Sequence, residues 1–290
     1  MVIIQLEINV CQFFKEWYYM QISSFFSRAL FVVVLGFVSV TSVIAAPPAG
    51  NSALQFAFGQ ICKRTTPIST ITDNLTMQCW VKWNGGGVGT IFYNGNGSFN
   101  GYGLCVNGSN QIGLLCGGIT NPFSTTTLAL NTWQHLALVR NAGTWSLYVN
   151  GVVTTLASVS NPNVPAAPLD AVLSFNGLVD EVSFFNTALS PATILAYKDQ
   201  PISASHPNFA NLVAYYQLNE GTGQTAGSGT SLDMQLGSTA GVDVDDPTWV
   251  VSDVPLVPTL GEWGMIALTG ILLYAGYHYI SRRKTSATIA

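Results

Sequence analysis

The stretch NTWQHLALVRNAGTWSLYVNGVV, residues 131–153, decides the fold. Successive side chains of a β-strand point to opposite faces, and apolar residues occur here at both sets of alternate positions. One predicted face carries Trp133, His135, Ala137 and Val139, and the other carries Gln134, Leu136, Leu138 and Arg140. Turns at Asn141–Gly143 and Asn150–Gly151 bound the returning strand WSLYV. We therefore expect central strands that are covered on both sides.

Short apolar or alternating segments continue from Ser52 to Lys198, with turn residues between them. Asn-Gly pairs, which favour tight hairpin turns, begin at Asn94, Asn96, Asn100, Asn107, Asn150 and Asn176. The one helical pattern is LSPATILAYKD, in which Ser190 can cap the first turn and Pro191 suits the first helical position. The spacing predicts an all-β sandwich or barrel with one short helix.

Charge and composition limit the partners. Charged residues make up 8% of the 290 residues, and much of the polarity comes from Asn, Thr, Ser, Gln and Gly. Residues 47–255 contain eleven acidic and five basic residues. A body with this balance does not attract phosphate backbones, so we expect no nucleic-acid partner.

Residues 1–46 are predicted to be a signal peptide region. Arg28 precedes an apolar run that ends at the small residues Ala45 and Ala46, which is the order of a secretory signal. Residues 1–19 fit no part of such a signal, whereas Met20 would make a normal start. The alternative is an N-terminal membrane anchor that stays in place. The pattern favours export.

The C-terminal part contains VPTLGEWGM, residues 257–265, and an apolar stretch that overlaps it. The stretch Trp263–Ile280 has 18 residues and no Asp, Glu, Lys or Arg, which is the lower limit for a membrane span. Arg282, Arg283 and Lys284 follow it. The positive-inside rule places this basic stop on the cytoplasmic side, so the body would face outward.

The motif before the span resembles the bacterial C-terminal sorting signal Ile-Pro-Thr-Leu-x-Glu-Trp-Gly. Val257 stands in place of Ile, and the matching residues are Pro258, Thr259, Leu260, Glu262, Trp263 and Gly264. The resemblance implies recognition by an exosortase-type membrane protease, removal of the tail and delivery to the cell surface or extracellular matrix. A plain C-terminal anchor is the alternative.

Four segments resemble, in order, the laminin-G-like, concanavalin A-like jelly-roll domains of bacterial surface proteins. They are LTMQCWVKW, GYGLCVNG, LNTWQHLALVRNAGTWSLYVNG and FNGLVDEVSFFNTALSPATILAYK. The later segment NLVAYYQLNEGTGQTAGSG resembles one that often accompanies such domains, and it could instead belong to a truncated second module. The resemblance implies a jelly-roll β-sandwich.

These features predict the organisation of the chain. The parts are a signal peptide region at 1–46, a laminin-G-like β-sandwich at 47–200, an extension that completes or flanks the sandwich at 201–254, the sorting motif, transmembrane helix and basic stop at 255–284, and a cytoplasmic tail at 285–290.

Four cysteines follow the leader, at Cys62, Cys79, Cys105 and Cys116. An even number in an exported protein permits two disulfides, and free buried thiols are the alternative. A hairpin around residues 107–110 would set Cys105 opposite Ile112, which separates Cys105 from Cys116 by too much strand for a disulfide. No CxxC motif supports a zinc or redox site.

Asp180 and Glu181 are adjacent carboxylates in the segment VDEVSFF. Strand neighbours point to opposite faces, so these two should not form the facing pair that glycoside hydrolysis needs. The family resemblance implies calcium, for which Asp180 and Glu181 are weak candidate ligands. However, Ala57-Phe58 stands where the family often has Asp-Gly. We expect a packed His135 and no catalytic site.

Loop aromatics are the best candidates for a ligand rim. Phe99 and Tyr102 lie within the Gly/Asn-rich stretch NGNGSFNGYG and Tyr93 directly precedes it, and we expect all three to be exposed there. The resemblance implies a surface protein that binds carbohydrate or a matrix component. The alternatives are a structural or adhesion protein without a small ligand and a glycan hydrolase.

Overall fold

The computed structural model describes residues 52–167, 169–170 and 172–252, which form fifteen strands, one α-helix and one 3₁₀ helix. The strands are β1 Ser52–Phe56, β2 Cys62–Lys63, β3 Leu75–Trp83, β4 Gly89–Asn96, β5 Asn100–Val106, β6 Gln111–Cys116, β7 Phe123–Thr127, β8 Trp133–Asn141, β9 Thr144–Val149, β10 Val152–Thr154, β11 Gly177–Phe185, β12 Leu212–Tyr216, β13 Thr225–Ala226, β14 Met234–Leu236 and β15 Thr248–Val251. Helix α1 spans Pro191–Tyr197, and the 3₁₀ helix spans Phe209–Asn211.

The larger sheet has eight strands in the order β10-β9-β8-β3-β11-β1-β15, with β12 also paired to β11. One edge of β11 pairs with β3. Along the other edge, β1 pairs with residues Gly177 to Val179, and β12 pairs with residues Val182 to Phe185. Strands β1 and β12 therefore lie end to end on one edge of β11.

The core lies between the larger sheet and two smaller ones. The smaller sheets have the orders β4-β5-β6-β7 and β13-β14-β2. Side chains from all three sheets share one buried cluster, which includes Leu54, Met77, Leu136, Val179, Phe92, Leu104, Leu114 and Met234. This arrangement confirms the all-β sandwich.

The two elements predicted most directly from local sequence are confirmed. Strand β8 is buried from Trp133 to Arg140 and lies between β9 and β3. Helix α1 begins where predicted, because the Ser190 hydroxyl accepts a hydrogen bond from the Thr193 N–H at 3.0 Å and Pro191 occupies the first turn.

The predicted register of the β5–β6 hairpin is wrong by one residue, since Cys105 pairs with Gly113 and Val106 pairs with Ile112. The loop is one residue longer than the predicted register implies, because Asn107 pairs with Gln111 and not with Asn110. Asn110 adopts a left-handed conformation with φ of 61°, and the Asn107 N–H donates to the Gln111 carbonyl at 3.0 Å. A three-residue loop that ends in a left-handed residue is a common hairpin geometry.

Among the described residues, no helix has the length and apolar character needed to cross a bilayer. The predicted signal peptide, sorting motif, basic stop and span Trp263–Ile280 lie outside the described residues.

A β-bulge at Asp180 and Glu181 interrupts β11. Asp180 pairs with Trp80, but the next pair joins Ser183 to Gln78, so one strand has an extra residue. Glu181 has φ of 53°, a left-handed conformation that is uncommon outside glycine.

The bulge corrects the prediction that Asp180 and Glu181 point to opposite faces. Val179 and Val182 both point into the core, so the two acidic residues between them lie on the outer side of the sheet. The alternation rule fails here because it assumes a regular strand, and the extra residue changes the side-chain period.

Both carboxyl groups are buried on that outer side. Asp180 is 0% exposed and Glu181 is 7% exposed. One oxygen of Asp180 accepts the Glu181 N–H at 2.9 Å. Burial, followed by the neighbouring Glu181, raises the pKa of Asp180 to about 9. Burial also raises the pKa of Glu181 to about 7, although the Tyr215 hydroxyl opposes this by donating a hydrogen bond to it.

We predict that Asp180→Asn stabilises the fold at alkaline pH. Folded Asp180 keeps its proton up to about pH 9, whereas the unfolded side chain loses it near pH 3.9. The folded state therefore binds more protons in this window, so the free energy of unfolding falls as pH rises. Asparagine keeps the acceptor for Glu181, and we expect a gain of at least about 1 kcal/mol at pH 8.

Urea unfolding at several pH values between these limits measures the effect. Asp199→Asn is the matched control, because Asp199 has a side chain that is 52% exposed. The control should keep the pH slope of the parent protein. If the free energy of unfolding of Asp180→Asn falls with pH as steeply as that of the parent protein, Asp180 is charged in the folded state and the prediction is wrong.

Candidate functional site

A groove of about 640 Å³ runs along β12 on the edge of the larger sheet. One wall is β12 with the residues after it, the other wall is the loop at 227–230, and two residues from the segment before β12 also line the groove. The lining residues are Ile202, Phe209, Leu212, Val213, Ala214, Tyr215, Gln217, Asn219, Glu220, Gly227, Ser228, Gly229 and Thr230.

The first wall follows from alternation in the sequence AYYQLNE. Ala214, Tyr216 and Leu218 are buried in the core. Between them, Tyr215 is half-buried and Gln217 is exposed. The same side therefore presents an aromatic ring and an amide to the groove, with Asn219 next in line. The sequence contains this alternation, but the predictions above did not include these residues.

Carboxylates hold the second wall in place. The Glu220 side chain accepts the Gly227 N–H at 2.8 Å. The Asp233 side chain accepts the Ser228 N–H at 2.8 Å and the Ser228 hydroxyl at 2.9 Å. These bonds fix the backbone of the loop, so the wall has a defined shape before any ligand enters.

The Tyr215 hydroxyl acts as both a donor and an acceptor of hydrogen bonds, which hold the side chain in place. It donates to the Glu181 carboxylate and accepts the Ile202 N–H at 3.2 Å. Burial, reinforced by the nearby Glu181 charge, raises the pKa of Tyr215. The phenol therefore remains protonated at neutral pH, and its ring orientation is fixed by the bulged strand behind it.

The groove offers mainly uncharged hydrogen-bonding groups. Its lining combines side-chain amides, hydroxyls, backbone groups and the carboxylate of Glu220, together with the rings of Tyr215 and Phe209. Phe209 is 43% exposed. Among the lining residues that the structure describes, none is Lys, Arg or His. Such a surface can pair with ligand hydroxyls and contact an apolar ligand face.

A second, much smaller cavity lies beside His135 on the same outer face. Its volume of about 10 Å³ is roughly that of one water molecule. The His135 ring packs edge-on against Trp80 with centroids 5.5 Å apart, and burial followed by the Lys198 charge lowers its pKa to about 3. His135 is thus a packed core residue, although its Nδ1 has no hydrogen-bond partner among the described residues.

The predicted aromatic rim is corrected in two of its three members. Tyr93 and Tyr102 are buried in β4 and β5, and their hydroxyls donate to the carbonyls of Asn100 and Ile71 at 2.6 Å each. Only Phe99, in the turn between these strands, is exposed, at 71%. The Asn-Gly pairs around the tyrosines extend the strands, and the turn itself is short.

The four cysteines are free, buried thiols. Burial raises the pKa values of Cys62, Cys79 and Cys116, and it raises that of Cys105 to about 12. Of the two alternatives, disulfides or free buried thiols, the structure therefore contains the free thiols. Thiols in this state pack as small apolar side chains and are poor nucleophiles.

Of the weak metal candidates, Asp180 accepts the Glu181 N–H, and the Glu181 carboxylate accepts the Tyr215 hydroxyl. No group of three or more His, Cys, Asp or Glu suited to a metal ion occurs in the described parts of the chain. One Asp180 oxygen also has no hydrogen-bond partner there.

Comparison with known proteins is consistent with this architecture. Residues 59–195 match the family model of the concanavalin A-like lectin/glucanases superfamily. The structure of a candidate carbohydrate binding protein from Bacteroides ovatus aligns with a TM-score of 0.55 and 17% identity, over 73% of this chain and 63% of that chain. A heptameric SAP-like pentraxin from Limulus polyphemus aligns over 73% of this chain and 95% of that chain, with 12% identity and a TM-score of 0.40.

A sequence search of curated proteins finds no match. The similarity to the Bacteroides ovatus protein shows a shared fold, and this chain spans less than two thirds of that protein. The family match covers most of the strands of the sandwich, from β2 to helix α1. Residues 59–195 are therefore similar in sequence to a domain of the concanavalin A-like lectin/glucanases superfamily, and the described strands form an all-β sandwich.

Proposed function

We propose that the groove along β12 binds carbohydrate. The observation that carries the proposal is the fixed ring of Tyr215 beside the side chains of Gln217 and Asn219. Sugars present hydroxyl groups at their edges and C–H groups on their faces, which amides and aromatic rings respectively recognise. The volume of the groove is also within the usual range of ligand sites.

The fold and its relatives support this proposal. The superfamily includes lectins, and the Bacteroides ovatus protein of similar fold is a candidate carbohydrate binder. The ligand would meet a surface that is already ordered, because internal hydrogen bonds hold Tyr215, Gly227 and Ser228. Preorganisation of this kind lowers the entropic cost of binding.

Binding is favoured over hydrolysis. Most glycoside hydrolases use two carboxyl groups that flank the scissile bond, whereas Glu220 is the one acidic residue that lines the described groove. Asp180 and Glu181 are buried behind the groove, where Glu181 supports Tyr215. We therefore assign these carboxyl groups to the structure of the site.

The alternative is a structural or adhesion protein of the matrix without a small ligand. One observation favours it, because β10 ends the larger sheet and exposes Val152 at 67% and Val153 at 60%. An edge strand without charged or proline residues can pair with a strand of another molecule. Under this alternative the sandwich would act through self-association.

We further propose that the protein is exported and sorted by an exosortase-type membrane protease. The proposal rests on the sequence alone, through the signal peptide at 1–46 and the motif at 257–264 before the span and basic stop. The motif would serve as the substrate of the protease. The mature body, 47–254, would then reach the cell surface or extracellular matrix.

The groove proposal predicts that Gln217→Ala weakens glycan binding about fivefold, which corresponds to the loss of one hydrogen bond worth about 1 kcal/mol. Tyr215→Ala should weaken it at least about tenfold, because the ring contact is also lost. A glycan array with the full chain identifies the ligand, and titration calorimetry with that ligand measures each variant. Thermal unfolding verifies that each variant is folded.

Gln55→Ala is the matched control, since Gln55 is an exposed amide on β1 outside the groove. It should bind like the parent protein. A folded parent protein that binds no glycan on the array would refute the proposal and favour the matrix alternative. Equal affinities for all three variants would place the binding site elsewhere.

The sorting proposal predicts that the surface-located protein lacks residues 281–290. Mass spectrometry of the mature C-terminus measures this directly. Trp263→Ala should retain the tail, because it alters the motif recognised by the protease, whereas Thr285→Ala in the tail should be processed normally. An intact tail on the parent protein at the surface would instead indicate a plain anchor.

A further inference from the structure

We infer that the groove selects glycans that carry free amino groups, an inference that rests on the proposed carbohydrate function. The ligand class is an amino sugar polymer whose amines are not acetylated. The inference starts from Glu220, the one charged side chain in the described groove lining.

Glu220 is placed to receive a cation. Its Oε1 accepts the Gly227 N–H at 2.8 Å, which fixes the carboxylate against the loop wall. The Glu220 side chain is also exposed, so solvent or a ligand can reach it. The carboxylate is therefore held against the loop wall and is still accessible from the groove that it lines.

Acidic side chains lie behind both walls of the groove. Asp233 holds Ser228, and Glu181 accepts the hydrogen bond from Tyr215. The charge of Glu220 also contributes to the raised pKa of Asp180. Glu220 is therefore near enough to the bulge to repel a negative charge there. An incoming anion would therefore meet the carboxylate of Glu220 at the groove wall and that of Asp233 behind it, whereas burial raises the pKa of Glu181 to about 7 and leaves it mostly neutral at mildly acidic pH.

The basic side chains of Arg64 and Lys198 are engaged outside the groove. Arg64 donates to the carbonyls of Asp233 and Thr66 at 2.7 and 3.2 Å. Lys198 forms an ion pair with Asp199 and lies over the Trp80 ring. Neither basic residue lines the groove, so neither provides a partner for a uronate or sialate carboxylate.

These features discriminate among sugar substituents. An ammonium group has three N–H donors and can form a charge-assisted hydrogen bond with Glu220, which is roughly twice as strong as a neutral bond. Acetylation removes that charge. A carboxylated sugar adds repulsion, which is an effective way to reject a competing ligand. The side chains of Gln217 and Asn219 line the groove for each of these ligands.

The test compares glucosamine oligomers, N-acetylglucosamine oligomers, cello-oligosaccharides and oligogalacturonates of equal length. Calorimetry with the full chain is done at low salt and mildly acidic pH, so that the free amines are protonated. We expect the glucosamine oligomer to bind about tenfold more tightly than its acetylated counterpart. Added salt should reduce this preference, because it screens exposed charges.

Glu220→Gln is the decisive variant, since glutamine keeps an oxygen that can accept the Gly227 N–H. It should lose the preference for the free amine and retain the affinity for the acetylated oligomer. Asp245→Asn is the matched control, because it removes one negative charge outside the groove lining. It should retain the preference, which would exclude a simple effect of net charge.

The outcomes separate this inference from the proposed function. Binding of neutral or acetylated oligomers as tightly as glucosamine oligomers would overturn the inference and leave carbohydrate binding intact. A preference that survives Glu220→Gln, or that Asp245→Asn reduces equally, would also overturn it. A folded protein that binds no oligomer in this set or on the glycan array would refute the carbohydrate function itself.

Discussion

The bulge at Asp180 and Glu181 is the constraint on which the outer side of the sandwich depends. Strand β11 pairs with β3 on one edge and with two shorter strands, β1 and β12, on the other. The bulge lies between the stretches of β11 that pair with these two strands. The Ser52 hydroxyl, at the start of β1, donates to the Leu218 carbonyl just after β12 at 2.8 Å and ties the two strands together. The bulge therefore coincides with the junction of separate chain segments.

The same irregularity connects the core to the groove. In a regular strand, a side chain next to Asp180 would point inward, where an unpaired carboxylate is very costly. The bulge instead places Glu181 on the outer side, where it receives the Tyr215 hydroxyl. The left-handed backbone of Glu181 and the burial of two acidic groups oppose folding. Sites that break local rules in this way are often functional, because the surrounding structure must maintain them.

The accuracy of sequence-based prediction varies along the chain for identifiable reasons. Strand β8 and helix α1 were predictable because alternation and an N-cap are local patterns. The bulge was not predictable, since VDEVSFF contains no glycine and the register of β11 depends on its pairing with β3 and β12. Tyr93 and Tyr102 were misplaced because Asn-Gly favours turns in isolation, whereas here cross-strand pairing extends β4 and β5 through these pairs. The place of Tyr215 in a groove could not be predicted, because it depends on which edge of the larger sheet is left without a partner strand.

The acidic residues near the groove have a consistent role that explains why they form no facing catalytic pair. Glu181, Glu220 and Asp233 each accept a hydrogen bond from a different residue of the groove lining. Two of the three lie behind the lining, and only Glu220 also faces the groove. A binding site gains affinity when its groups are ordered before the ligand arrives, since the cost of ordering is then met during folding. Hydrogen bonds to charged acceptors are suited to this task because they are stronger than neutral ones. The carboxylates therefore act on a ligand mainly through the groups that they position, and the charge of Glu220 is the one that a ligand would contact directly.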